Sequence, residues 1–204
     1  MTNLGTIFRT CALFGLFLSL ACLPKAFGEC AALDDNSPAT QLLAFLRASA
    51  DLPREQWNVD CLTFAIRHLE YRKPATDTIR VLIGFLDFKR PLSQAERLGF
   101  VIHGAATVSN LFPAAGTLFT YGKLALPELV AAIENSASPT VTQNATYTVM
   151  EIFRDEPATG IEYLKHQAAV LDRSKATKLR EAASIAVQWC GAKHQAECEA
   201  ALKN

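Results

Sequence analysis

The chain has 204 residues, half of them hydrophobic, with 20 basic and 20 acidic side chains and a formal net charge of zero. That balance leaves no excess of positive charge for gripping a nucleic-acid backbone, so a nucleic-acid partner is not expected. The length suits one core of ordinary domain size.

The first segment reads as an address. Arg9 is followed by an apolar stretch of 13 residues, Cys11 to Leu23. A membrane-spanning helix needs roughly 20 apolar residues. The shorter stretch fits the apolar region of a secretory signal peptide covering residues 1–28. Pro24 ends it, Ala26-Phe27-Gly28 offers small residues to a signal peptidase, and cleavage is expected before Glu29. A core helix would have a polar face, which this segment lacks. The alternative is a lipoprotein anchored through Cys22, although Ser19 stands where a lipobox has leucine. Removing 28 residues from 204 leaves 176, and the leader takes Arg9 and Lys25 with it, so the remainder carries 18 basic against 20 acidic side chains. It is expected in the periplasm or outside the cell, with no membrane contact beyond the export signal.

From Ser37 onward apolar residues recur at helical spacing, and strand signals are almost absent. Asn36-Ser37-Pro38 predicts a helix start, with Ser37 as cap and Pro38 at the first helical position. Leu42, Leu43, Phe45 and Leu46 follow. A second helix carries Leu62, Ile66 and Leu69 on one stripe and ends near Lys73-Pro74; a third carries Ile79, Leu82, Ile83 and Leu86. A fourth covers about Leu111 to Tyr121. Pro127 opens a fifth, with Leu129, Val130 and Ile133 inward, and Pro139 opens a sixth that runs to Arg154. Pro157 opens a seventh with Ile161, Leu164 and Ala168, and Ser174 caps an eighth that ends at Cys190-Gly191. The fold class is all-α.

The helices repeat. Ile79 to Ile83 aligns with Leu126 to Val130 at an offset of 47 residues, and Leu126 to Leu129 aligns with Ile161 to Leu164 at an offset of 35. Periods of this size, two helices to each, mark arrays of helical hairpins that bury their apolar stripes on one another. Four pairs follow: Ser37–Arg72, Pro74–Tyr121, Leu124–Arg154 and Pro157–Cys190. Gly122-Lys123-Leu124-Ala125-Leu126-Pro127-Glu128-Leu129 resembles the opening of a HEAT-like repeat, and Asn144-Ala145 with Val149 resembles its second helix. With the Asp87-Phe88-Lys89-Arg90-Pro91-Leu92 stretch, the region from about Cys61 to Cys190 is similar to small exported bacterial proteins built from such repeats. The resemblance implies an α-solenoid of about four hairpins over residues 29–204, a scaffold presenting a surface to a protein or peptide, with no catalytic residues.

The difference between the two offsets, 12 residues, falls in the stretch 89–110, an insertion. It holds Lys89, Arg90, Glu96, Arg97 and His103 interleaved with Phe100, Val101 and Ile102. Ser93 and Glu96 form a capping box that starts a short helix. Insertions in repeat proteins collect on one face, often the binding face, which makes Arg90, Arg97, Phe100 and His103 the candidate partner-binding residues. The plainer alternative is a linker that anchors Phe100-Val101-Ile102 on the stack.

Four cysteines remain after cleavage, Cys30, Cys61, Cys190 and Cys198, and an even number in an exported chain points to disulfides. Of the three connectivities, proximity favours Cys30–Cys61 with Cys190–Cys198. Residues eight apart in one helix lie about 12 Å apart, beyond the roughly 7 Å a disulfide allows. The second pair therefore requires a turn, and Gly191 is expected to end the helix there. Cys190, His194 and Cys198 also have the spacing of a metal site but lack a fourth ligand, so no metal or other cofactor is expected. His68 and His166 stand singly on helices. Phosphate loops, nucleophile elbows and HExxH motifs do not occur. Asn144-Ala145-Thr146 matches a glycosylation sequon inside a helix and reads as chance. The expected function is non-catalytic: an adaptor binding a protein or peptide on a concave face formed by the second helices of the pairs. The rivals are an enzyme with Arg97 and His103 over a cleft at the insertion, and a structural envelope protein.

Overall fold

The computed structural model describes residues 30, 33–97 and 107–203. The leader with Cys22, the cleavage point before Glu29, and Phe100, Val101, Ile102 and His103 of the insertion lie outside the described residues. Within them every regular element is helical. The α-helices are α1 (Ala39–Ala50), α2 (Val59–Leu69), α3 (Thr76–Ile83), α4 (Gln94–Arg97), α5 (Val108–Leu111) and α6 (Pro113–Thr120). They continue as α7 (Leu126–Asn135), α8 (Pro139–Ile152), α9 (Pro157–Ala169), α10 (Arg173–Ala186) and α11 (Gln195–Lys203).

Several starts follow from single side chains. Asn58 accepts a hydrogen bond from the Cys61 N–H at 3.1 Å to open α2, and Ser138, ahead of Pro139, accepts from Val141 at 3.4 Å to open α8. Two expected caps are corrected. At α1 the Ser37 hydroxyl accepts from the Asp34 N–H and turns back toward the Asp34 carboxylate, so Pro38 takes the cap position without a side-chain bond. At α10 the helix already begins at Arg173, and Asp172 accepts the Lys175 N–H at 3.2 Å. A carboxylate one residue outside the helix does there what Ser174, inside the first turn, was expected to do.

The helices adjoin in two successions. α1 lies on α3, α3 on α7 and α7 on α10; α2 lies on α6, α6 on α8 and α8 on α9. Within pairs α1 lies on α2, α7 on α8 and α9 on α10. At the end of the chain the two successions merge: α10 meets both α7 and α8, and α9 also meets α8. The aligned positions Ile79, Leu126 and Ile161 are all buried, as are Leu82, Leu129 and Leu164. Ile83, on the same helix as Ile79 and Leu82, is only half-buried. Ion pairs follow the first succession: Arg47 with Asp77, Arg80 with Glu128 at 2.8 Å, and Lys175 with Glu134 at 3.9 Å. Such surface pairs contribute about 0–1 kcal/mol each, so they favour one order of helices more than they stabilise the whole.

Buried polar side chains supply a second set of ties. The last carbonyls of a helix have no partner within it. From α6, Thr117 Oγ1 donates to Ile66 O at 3.1 Å and Tyr121 OH to Leu69 O at 2.7 Å, closing the end of α2. Burial pushes the Tyr121 phenol up to about 12, with Glu70 adding to it, so it stays a donor at every physiological pH. From α8, Asn144 Nδ2 reaches Leu86 O, in the turn after α3, at 2.7 Å. Lys178 Nζ of α10 reaches Ser136 O, after α7, at 2.8 Å.

Both disulfide pairs have the expected partners, with Cα atoms 5.3 Å apart for Cys30–Cys61 and 6.6 Å for Cys190–Cys198. A 3₁₀ segment, Val187–Trp189, leads into Cys190, and a second, Ala192–His194, makes the turn between Cys190 and Cys198, after which the chain enters α11 on α9. Gly191 ends no left-handed cap: its φ of −58° and ψ of 157° suit any residue. The unforeseen α11 is closed by Lys165 of α9, whose Nζ donates to Ala201 O and Leu202 O at 2.7 and 3.1 Å.

Candidate partner-binding surface

The described part of the insertion is held shut by its own charges. Arg90 and Glu96 side chains are only 13% and 12% exposed and form an ion pair. The guanidinium also donates to Asn110 O at 2.6 Å, and the Arg90 N–H donates to Leu111 O at 2.9 Å, so the two ends of the segment meet at this one residue. Glu96 closes the capping box: it accepts the Ser93 N–H at 2.7 Å, while Ser93 Oγ accepts the Glu96 N–H at 3.2 Å. Arg90, taken as a partner-binding candidate, is thus engaged in a clasp. Arg97, at the end of α4, is exposed.

Hydrogen bonds from Arg90 and from the Ser93 N–H hold the Glu96 carboxyl down to about 2, against an ordinary 4.5. A depressed carboxyl stabilises the fold at pH above its unfolded value and loses that contribution as the pH falls through the folded one. The clasp is therefore intact at neutral pH and weakens between pH 4.5 and about 2. Thermal melts of the native chain and of E96Q should differ at neutral pH and converge across that window; parallel melts down to the acid limit would show that the clasp adds nothing.

Beyond the clasp, α5 lies against α2, α6 and α8. Arg67 of α2 donates to Asn110 Oδ1 at 3.3 Å. Tyr147 of α8 is hydrogen-bonded to Ser109 and Glu151, and burial raises its phenol above the ordinary value. On α6 the approach is closest at Gly116, where a Cβ would come within 2.8 Å of the Ser109 carbonyl oxygen. The described end of the insertion therefore lies against α2, α6 and α8. A cavity of about 360 Å³ lined by Thr63, Arg67, Arg90, Ser93 and Glu96 opens at this junction.

The remaining candidates are accounted for by local bonds. Asn144, the sequon residue, is buried with its amide on Leu86 O. His194 lies beside Glu197 at 3.1 Å, and Cys190 with Cys198, its would-be co-ligands, form a disulfide. Among the described residues no group of three or more His, Cys, Asp or Glu side chains gathers for a metal ion, and no helix is long and apolar enough to cross a membrane. Compared with family models, with curated proteins and with solved structures, the chain matches none. The carbonyl-closing side chains Thr117, Tyr121 and Asn144 were missed by sequence reasoning, although a polar residue at an inward helical position was their visible signal.

Proposed function

We propose that the protein is an exported, non-catalytic adaptor, a stack of about four HEAT-like hairpins that binds a protein or peptide through its helical surface in the cell envelope or outside the cell. The observation that carries this is the order of contacts, in which α1, α3 and α7 follow one another while α2, α6 and α8 do the same. That order is what stacked hairpins require, because one hairpin cannot bury its stripe alone. Two disulfides support an oxidising compartment. The position of α5 over α2, α6 and α8 supports a role for the insertion in recognition rather than mere connection.

Intact-mass measurement on the envelope fraction is expected to find a chain beginning at Glu29; a cytoplasmic product retaining Met1 would end the export reading. Chemical cross-linking in that fraction is expected to capture a partner, and deletion of residues 93–106 to abolish capture with helicity nearly unchanged. Loss of the cooperative thermal transition in the deletion variant would make the segment part of the fold and remove its binding role.

A further inference from the structure

We propose that the surface crossing α10 is a docking site for an extended acidic peptide segment of the partner; this rests on the adaptor reading and adds a second contact, of stated chemistry, to the one at the insertion. Three depressions join there. One of about 520 Å³ lies between the start of α8 and α10, with Gln143, Lys178 and Gln188 on its walls. Another of about 350 Å³ lies between α9, α10 and α11, with Lys165, Arg180 and Leu202. A shallower one of about 430 Å³ connects them over the crest of α10, sharing Glu181 and Ile185 with the first and Arg180 and Ser184 with the second.

The charges of this trough differ from those along the first succession of helices. There Arg47 and Arg80 each hold a carboxylate. In the trough Lys165 and Lys178 donate to backbone carbonyls instead. Among the described residues no carboxylate lies within ion-pair distance of Lys165, Lys178 or Arg180. Glu181 is the one acid among the lining residues, against these three cations. Positive charge beside apolar walls attracts a segment of opposite sign and fixes its register. Ile185, 40% exposed on the crest, offers an apolar contact beside it. The exposed amides of Gln143 and Gln188 can both donate to and accept from a peptide backbone. A helix with its side chains is about 10 Å across. A crossing with a groove on each side is then roughly 20 Å, the reach of about six extended residues.

The test is fluorescence anisotropy of the full chain, disulfides intact, with a labelled peptide alternating glutamate and leucine. Saturable binding is expected that weakens with added salt, weakens about tenfold in R180Q or K178Q, and is lost for the glutamine–leucine counterpart. R154Q, whose cation stacks on Phe119 away from the trough, should bind as the native chain does. Equal binding of the glutamine peptide, unchanged binding by R180Q, or equal affinity for a single-stranded oligonucleotide overturns the proposal. Should the acidic peptide fail while the envelope partner is captured equally by the native chain and R180Q, the trough is wrong and the adaptor reading stands. If the native chain also captures nothing, the adaptor reading falls with it.

Discussion

Replacing Asn144 with alanine is expected to lower the free energy of unfolding by about 2–3 kcal/mol, read from denaturant titration with an unchanged slope. The side chain is 2% exposed and its amide donates to Leu86 O at 2.7 Å. Truncation leaves that carbonyl without its donor in the interior, which costs about 1–3 kcal/mol, and leaves a small void besides. The tie joins α8 to the turn after α3, two helices far apart in the chain, so the loss falls on their packing. T117V, which removes the donor to Ile66 O while keeping most of the volume, should cost about 1–3 kcal/mol by the same reasoning; Y121F should cost less, because Leu69 O keeps the Arg72 N–H at 2.9 Å. A cost for N144A below about 0.5 kcal/mol would mean that Leu86 O finds another donor, and the tie would not be what holds α8 against the turn after α3.

These ties also mark where sequence reasoning reached its limit. Helix type was legible because Leu62, Ile66 and Leu69, or Ile161, Leu164 and Ala168, recur at 3.6-residue spacing, and burial of one stripe depends on little else. The disulfide partners were legible because two cysteines near each end of the folded region leave short spans to close. The partners of Thr117, Tyr121, Asn144 and Lys165 were not, since each bonds to a carbonyl, and every residue has one. Nothing in the letter Asn at position 144 names Leu86; only the approach of α8 to the end of α3 does. The same holds for Arg90. Its charge predicted an exposed cation, but Glu96, six residues on, and the returning Asn110 carbonyl enclose it. The trough across α10 was invisible for a related reason: the charges of Lys165 and Arg180, on different helices, converge only once α9, α10 and α11 are side by side.

Removing the two disulfides should separate a global from a local effect. Cys30–Cys61 spans 31 residues and Cys190–Cys198 spans 8. On a chain-entropy account these restrict the unfolded chain by about 3.7 and about 2.5 kcal/mol. C30A/C61A should therefore lower Tm by roughly 7–15 °C for a chain of this size, because Cys61 sits fully buried in the first turn of α2, on which α1 and α6 both rest. C190A/C198A should lower it less, and hydrogen exchange should show why. The small loop holds α11, whose other attachments are the packing of Cys198 and Ala201 and the Lys165 cap on Ala201 O and Leu202 O. Without the cross-link α11 should exchange well ahead of α2 and α8. Because Leu202 walls one end of the trough, affinity for the glutamate–leucine peptide should fall in step with α11 protection, while the Asn144 tie keeps its own. Equal protection of α11 in both variants would show that the Cys190–Cys198 bridge restrains the unfolded chain only and leaves the trough to the helices.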